Sequence, residues 1–197
     1  MLYTPRPGHG NGWIEVVTGC MFSGKTSEVI ERGAKAIRAR HELVAFKHRV
    51  DGRYHPVDLA SHSGARLTAF AVEHTSEMRA RIKATTQVIV IDEWQFFLDE
   101  DLIPFVREER RHGRRIIVSG LNMDYTGKPF GQMPTLLTIA NEIETRYAIC
   151  TVCGEQAHFS QRVVPSSAQM LVGESEAYEA RCERDWDPDG VPMVAAG

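Results

Sequence analysis

The apolar positions of this chain fall into short dense runs, separated by stretches in which they recur every three or four residues. "WIEVVT" (13–18), "LVAFK" (43–47), "QVIVID" (87–92) and "RRIIVSG" (114–120) are such runs. Their near-continuous apolar character predicts parallel strands covered on both faces. Between the first two, Val29, Ile30, Gly33, Ala34 and Ile37 share one face of a helix predicted from Ser27 to about Arg40. "SEMRARIKAT" (76–85) predicts a helix with a serine cap, and "DEDLIPFVREERRHG" (99–113) one that stops at Gly113. A short helix is expected around Thr135–Asn141 and a strand at "ETRYAI" (144–149). The polar stretch 48–65 reads as a long loop, a length that marks function or mobility. The alternation predicts an α/β fold around a mostly parallel central sheet.

At Cys150 the texture changes to short strand-like pieces, "AHFSQRVV" and "SAQMLVG", set between cysteines. The expected organisation is a flexible tail (1–12), an α/β nucleotide-binding domain (13–149), a small metal-stapled subdomain (150–186) and a second tail (187–197).

The 197 residues include 23 basic and 26 acidic side chains, for a net charge of −3. That balance gives no excess of positive charge to draw in nucleic acid or an anionic membrane. No apolar run approaches the roughly 20 residues that span a bilayer. The opening "MLYTPRPGHGNGW" carries Pro and Gly where a secretion signal needs a continuous apolar stretch, so a cytoplasmic protein is expected. In a reducing compartment the four cysteines, Cys20, Cys150, Cys153 and Cys182, suggest metal ligation before disulfides.

"GCMFSGKT" (19–26) satisfies G-x-x-x-x-G-K-[ST] between a predicted strand and a predicted helix, the context that this motif needs. Gly19 and Gly24 let the backbone of Cys20, Met21, Phe22 and Ser23 curl, so that successive N–H groups face phosphate oxygens. Lys25 is expected on the β- and γ-phosphates of ATP and the Thr26 hydroxyl on Mg²⁺. Cys20 is most simply a buried filler; Met21 is filler or faces the phosphate acceptor.

The run "VIVIDEWQFF" (88–97) ends in two acids. Asp92 suits the strand-end carboxylate that organises Mg²⁺ through its water shell. Glu93 points the other way if the strand persists, and suits a general base for an attacking hydroxyl or water. Phe96, Phe97, Leu121, Tyr125 and Phe130 offer apolar surface near the strand ends, where a flat base would stack, although aromatic residues fill cores more often than they bind ligands.

"GCMFSGKT", "DGRY" (51–54), "SHSG" (61–64), "IDEWQFF" (91–97), "GLNMDYTGKPFG" (120–131) and "CTVCG" (150–154) occur in the order seen in type II thymidine kinases, which the chain resembles from about Trp13 to Asp185. The resemblance implies transfer of the ATP γ-phosphate to the 5′-hydroxyl of thymidine or deoxyuridine, with Glu93 as base. It places Asp51, Arg53 and Gln95 with ATP and Mg²⁺. It places Phe97, Tyr125 and Phe130 around the thymine, with Leu121 and Met21 alongside. Gln169, Met170, Leu171, Val172 and Gly173, with Tyr178, match the family's lasso loop, which closes over the nucleoside and reads the base largely through main-chain groups. Ser160 and Arg162 fall at family positions of less defined role. A homotetramer is implied in the same way.

The resemblance also implies a structural Zn²⁺ site at Cys150, Cys153 and Cys182, with the fourth ligand at Asp185, where the family has Cys or His. Aspartate ligates zinc at about 2.0–2.2 Å. Zinc held by Asp185 is the favoured outcome; His158 or water in its place, or no stable binding, are the alternatives. A rival function is a P-loop ATPase or GTPase whose zinc knuckle grips nucleic acid or a partner protein. No N-K-x-D guanine-reading motif and no basic stripe beside the cysteines accompany it.

Overall fold

The computed structural model describes residues 12–50, 58–60, 66–164 and 177–189. In chain order it contains β1 (Trp13–Thr18), α1 (Lys25–Arg38), β2 (Leu43–His48), β3 (Asp58–Ala60), β4 (Arg66–Thr68), β5 (Phe70–Val72), α2 (Thr75–Arg79) and β6 (Val88–Asp92). A 3-10 turn (Trp94–Phe96) leads to α3 (Leu102–Arg111), β7 (Arg115–Gly120), α4 (Met133–Ile139) and β8 (Glu142–Thr145). The short strands β9 (Ala148–Ile149), β10 (Gln156–Ala157), β11 (Phe159–Arg162) and β12 (Tyr178–Arg181) follow.

Six strands form one sheet in the order β5-β2-β6-β7-β1-β8, and every pairing in it is parallel. Side chains alternate faces along each strand. Ile14, Val16, Phe46, Ile89, Ile91, Ile116 and Val118 pack on α3 and α4 through Phe105, Val106, Met133 and Leu136. Val17, Ala45, Val88, Val90 and Ile117 pack on Val29 and Ile30 of α1, with Leu59 and Leu67 from the antiparallel β3–β4 pair. This double cover is why the strands read as unbroken apolar runs. The same alternation puts Asp92, two residues after Val90, on the face that carries α1.

One acid interrupts the apolar pattern inside the sheet. Glu15, only 2% exposed, meets Arg32 of α1 at 2.7 Å and Arg115 of β7 at 2.6 Å. Arg32 also reaches Glu28, Glu142 and Glu144, so it joins α1 to β1 and β8. A carboxylate taken out of water needs such partners, since an unpaired one costs several kcal/mol.

Four expectations are corrected. The helix expected over 76–85 covers only Thr75–Arg79. Its start is fixed by the Glu77 carboxylate accepting the His74 N–H (3.3 Å), and the chain then turns where the Thr86 hydroxyl accepts the Lys83 N–H (3.0 Å). The stretch 48–65 is not all loop, since it includes β3, and β4 and β5 follow directly; three-residue strands are too short to show alternation. "ETRYAI" is two strands: β8 extends the central sheet beside β1, whereas β9 pairs with β10 in a separate ribbon. The break falls at Arg146, whose N–H is drawn onto the Thr18 carbonyl at 2.7 Å. The last helix begins at Met133 and ends before Asn141, whose Oδ1 accepts the Ile14 N–H instead.

Candidate active site and metal centre

Between β1 and α1 the chain makes the tight loop that "GCMFSGKT" predicts. Gly19 (φ 139) and Gly24 (φ 80) hold conformations that side chains resist, and a Cβ at Gly19 would lie 2.0 Å from the Arg146 carbonyl oxygen. Phe22 also takes a positive φ, 65. Lys25 is buried at the start of α1, and its Nζ donates to the Cys20 carbonyl at 2.7 Å, which folds the cation over its own loop. Arg146 braces the loop from behind: its Nε donates to the Ser23 carbonyl (3.3 Å), and its Nη1 pairs with Glu28 (3.1 Å) and Glu144 (2.7 Å). Arg146 carried no sequence signal, since it fell inside the strand expected over 144–149.

Asp92 ends β6, one strand removed from β1, with β7 between them. Its Oδ2 accepts the Thr26 hydroxyl at 3.0 Å, and its Oδ1 accepts the Ser119 hydroxyl and the Glu93 N–H (2.9 Å). The expected magnesium pair, Thr26 and Asp92, thus already touches. Burial and the neighbouring Glu93 charge push the Asp92 carboxyl up to about 6. A cation beside it would offset that cost, which is the behaviour expected of a metal-facing acid. Ser119 gave no sequence signal beyond its place near the end of a buried strand.

The strand does not persist through Glu93, as the sequence argument assumed it could. Glu93 sits in the left-handed region (φ 57, ψ 43), a conformation that costs a non-glycine residue roughly 1–2 kcal/mol. Gln95, fully buried, donates from Nε2 to Glu93 Oε2 at 2.5 Å and accepts the Leu121 N–H at 2.9 Å. Both ends of its carboxamide are engaged within the protein. Two glycines make room for it: a Cβ on Gly120 would lie 2.7 Å from Gln95 Oε1, and one on Gly131 would lie 2.7 Å from its carbonyl oxygen.

The aromatic residues divide. Phe97, singled out from the sequence as a thymine neighbour, is fully buried in the core and packs edge-on against His48, with ring centroids 4.7 Å apart. Phe96 is the half-buried one, edge-on to Phe130 at 6.0 Å. The 3-10 turn after Glu93 leaves Phe96 partly exposed while Phe97 is buried. Leu121, Tyr125 and Phe130 lie on the loop between β7 and α4. Asp124 shapes this loop by accepting the Thr126 N–H and hydroxyl and the Lys128 N–H. Asp51, Arg53 and the segment Gln169, Met170, Leu171, Val172 and Gly173 lie outside the described residues.

The small ribbons carry the cysteines. The ligand atoms of Cys150, Cys153, Cys182 and Asp185 all lie within 4.8 Å of one another. Cys153 and Cys182 sulfurs are 3.6 Å apart, and Asp185 Oδ2 lies 3.3 Å from the Cys150 sulfur and 3.2 Å from that of Cys182. A tetrahedral zinc with sulfur at about 2.3 Å and oxygen at about 2.0–2.2 Å needs edges of roughly 3.5–3.8 Å, so the donor types fit and the Asp185 carboxylate would need to move by only a few tenths of an ångström from the two sulfurs. The facing Cys153 and Cys182 thiols hold the Asp185 carboxyl below the usual carboxylate range.

This centre sits against the phosphate loop. Cys20 belongs to the same buried cluster as Cys150 and Cys182, and its thiol donates to the Ala157 carbonyl at 3.4 Å. Burial pushes that thiol up, in keeping with a filler. The Met21 N–H donates to the Ser160 hydroxyl at 2.9 Å. Further out, Trp186 stacks on Phe159 (4.2 Å, 12°) and donates from Nε1 to the Tyr125 carbonyl at 3.2 Å. Trp186 was not anticipated.

Comparison with known proteins agrees with this arrangement. A family model described as "Thymidine kinase" matches residues 12–186. A thymidine kinase of Coprothermobacter proteolyticus is 44% identical over 190 residues, covering 93% of this chain and 95% of the relative. One of Bdellovibrio bacteriovorus is 39% identical over 181 residues, covering 92% and 88%. Among solved structures, the flagellar accessory protein FlaH of Methanocaldococcus jannaschii superposes with a TM-score of 0.51 at 15% identity, covering 75% of this chain and 76% of that one, a likeness of fold alone. With its phosphate loop, paired strand-end acids and cysteine ribbons matched over nearly its whole length, the chain belongs to the thymidine kinase family.

Proposed function

We propose that this protein transfers the γ-phosphate of ATP to the 5′-hydroxyl of thymidine, or of deoxyuridine, yielding ADP and the nucleoside 5′-monophosphate. The observation that carries this reading is the placement of two acids. Asp92 lies on Thr26, where a metal ion is expected, and Glu93 is kinked away from it with its carboxylate held by Gln95. Glu93 takes the proton from the 5′-hydroxyl as its oxygen forms the new bond to phosphorus, and the bond to the ADP oxygen breaks. Lys25 leaves the Cys20 carbonyl for the phosphates, and the loop N–H groups meet the charge that develops on the phosphoryl oxygens.

Thr26 and Asp92 are the residues that would hold Mg²⁺, which supplies charge neutralisation between the phosphates. Cys150, Cys153, Cys182 and Asp185 would hold a structural Zn²⁺ that ties the ribbons together. For the base, Phe96 and Phe130 offer a wall, with Leu121, Tyr125, Met21 and Tyr178 beside them. Asp51 and Arg53 remain assigned to the triphosphate, and 169–173 to main-chain reading of the base, on the strength of the family resemblance. A homotetramer rests on the same ground, and a cytoplasmic location on the sequence pattern alone. No helix among the described residues is long and apolar enough to cross a membrane.

The rival, an ATPase with a nucleic-acid-gripping knuckle, loses support to the family match. The deciding experiment is ADP release with and without thymidine, run beside deoxycytidine, deoxyguanosine and RNA. Release that needs thymidine supports the kinase; turnover without thymidine, raised by RNA, would sink it.

A further inference from the structure

Arg162 is the last residue of β11, and it is fully buried, which is unusual for a cation unless it is tightly partnered. Among the described residues it meets two aromatic rings. The guanidinium carbon lies 3.7 Å from the ring centroid of Tyr125 and 5.3 Å from that of Tyr178. Nη2 donates to the Tyr178 hydroxyl at 2.7 Å. The two rings come from different parts of the chain: Tyr125 from the loop between β7 and α4, and Tyr178 from β12 of the cysteine subdomain. Arg162 and Tyr178 are register partners in the β11–β12 ribbon, and the next rung is closed by the Val163 N–H donating to the Ala177 carbonyl at 3.0 Å. The guanidinium therefore sits at the end of the β11–β12 ribbon, stacked on a ring from the loop between β7 and α4.

We infer that Arg162 is a positioning residue for the nucleoside: its planar cation fixes the Tyr125 and Tyr178 rings relative to each other, and so sets the wall that meets the base. The inference rests on the kinase reading above. A guanidinium performs this task because its plane lies flat on one ring while its edge N–H groups bond another; an ammonium is drawn to a ring face but has no plane to stack. The described contacts of Arg162 are to Tyr125 and Tyr178, whereas the phosphate loop meets β11 at Ser160, so the effect should fall on one substrate.

The test uses the zinc-loaded full chain. Thymidine-dependent ADP release by the wild-type protein is measured first, and it is this measurement that fails if the kinase reading is wrong. KM for thymidine and for ATP are then compared for Arg162→Met, Arg162→Lys and Tyr178→Phe. The expected result is a thymidine KM raised tenfold or more in Arg162→Met, a partial recovery in Arg162→Lys, and a threefold or greater rise in Tyr178→Phe. KM for ATP should stay within twofold throughout. Equal rises for both substrates, or an unchanged thymidine KM in Tyr178→Phe, would overturn the inference. Because Tyr178→Phe keeps the ring and its packing, it remains decisive if Arg162→Met does not fold.

Discussion

The Gln95 carboxamide donates to Glu93 Oε2 at 2.5 Å while its oxygen accepts the main-chain N–H of Leu121 at 2.9 Å. One buried amide thus fixes the direction of the carboxylate by reference to the end of β7. A base held this way loses no rotamer freedom when the acceptor arrives.

The first prediction concerns that carboxylate. Glu93→Gln keeps the shape and the αL kink but removes the proton acceptor. Transfer to thymidine should fall by about 10²–10⁴-fold, the usual range for a general base. Binding of an ATP analogue, followed by calorimetry, should be unchanged. Transfer near the wild-type rate would show that another group takes the proton.

Asp92 carries a stability cost that its role explains. Its folded-state pKa is raised to about 6, chiefly by burial, above the roughly 3.9 of an unfolded aspartate. The stability that it contributes is therefore fully present below pH about 4 and is lost as the pH rises through about 6. In metal-free, nucleotide-free protein at pH 8, Asp92→Asn should raise Tm by a few degrees, and the gap should close on titration to pH 4. The same variant should lose magnesium-dependent transfer. A Tm lowered at pH 8 would mean that the Thr26 and Ser119 hydrogen bonds outweigh the cost of burial.

Arg146 should matter to one substrate. Its guanidinium spans Ser23, Glu28 and Glu144, and its side chain is about a third exposed. Arg146→Ala should therefore cost little global stability, about 1 kcal/mol or less. The loop that it braces handles phosphate, so KM for ATP should rise severalfold while KM for thymidine holds. Parallel changes in both constants would assign Arg146 to general folding.

At the cysteine centre, Asp185→Ala leaves three sulfurs. Zinc per chain, by elemental analysis after dialysis against a weak chelator, should fall well below that of wild type. Tm should fall with it, since metal binding here is folding free energy. Wild-type zinc content in the variant would remove Asp185 from the site and reopen the case for His158 or water.

Much of this was legible in the sequence because its signals are local. "GCMFSGKT" and the long apolar runs specify the loop, the strands and the parallel sheet from neighbouring residues alone. The three-residue strands β3, β4 and β5 were not legible, being too short for any period to show. That Phe97 is buried while Phe96 is half-buried was not legible either, because one left-handed residue, Glu93, interrupts the strand whose alternation would have told them apart. Ser119, Arg146 and Trp186 act through contacts 27, 123 and 61 positions away in the chain, and no local pattern announces such meetings.

The chain has three tryptophans, and one of them, Trp186, links Phe159 of β11 to the Tyr125 loop, its ring passing so close to Gly127 that a Cβ there would lie 2.7 Å away. An indole clamped in this way makes a built-in fluorophore. When a ligand shifts Tyr125, the surroundings of that ring must change, so emission from a protein whose other tryptophans are replaced by phenylalanine would report occupancy in real time, without a label and without turnover.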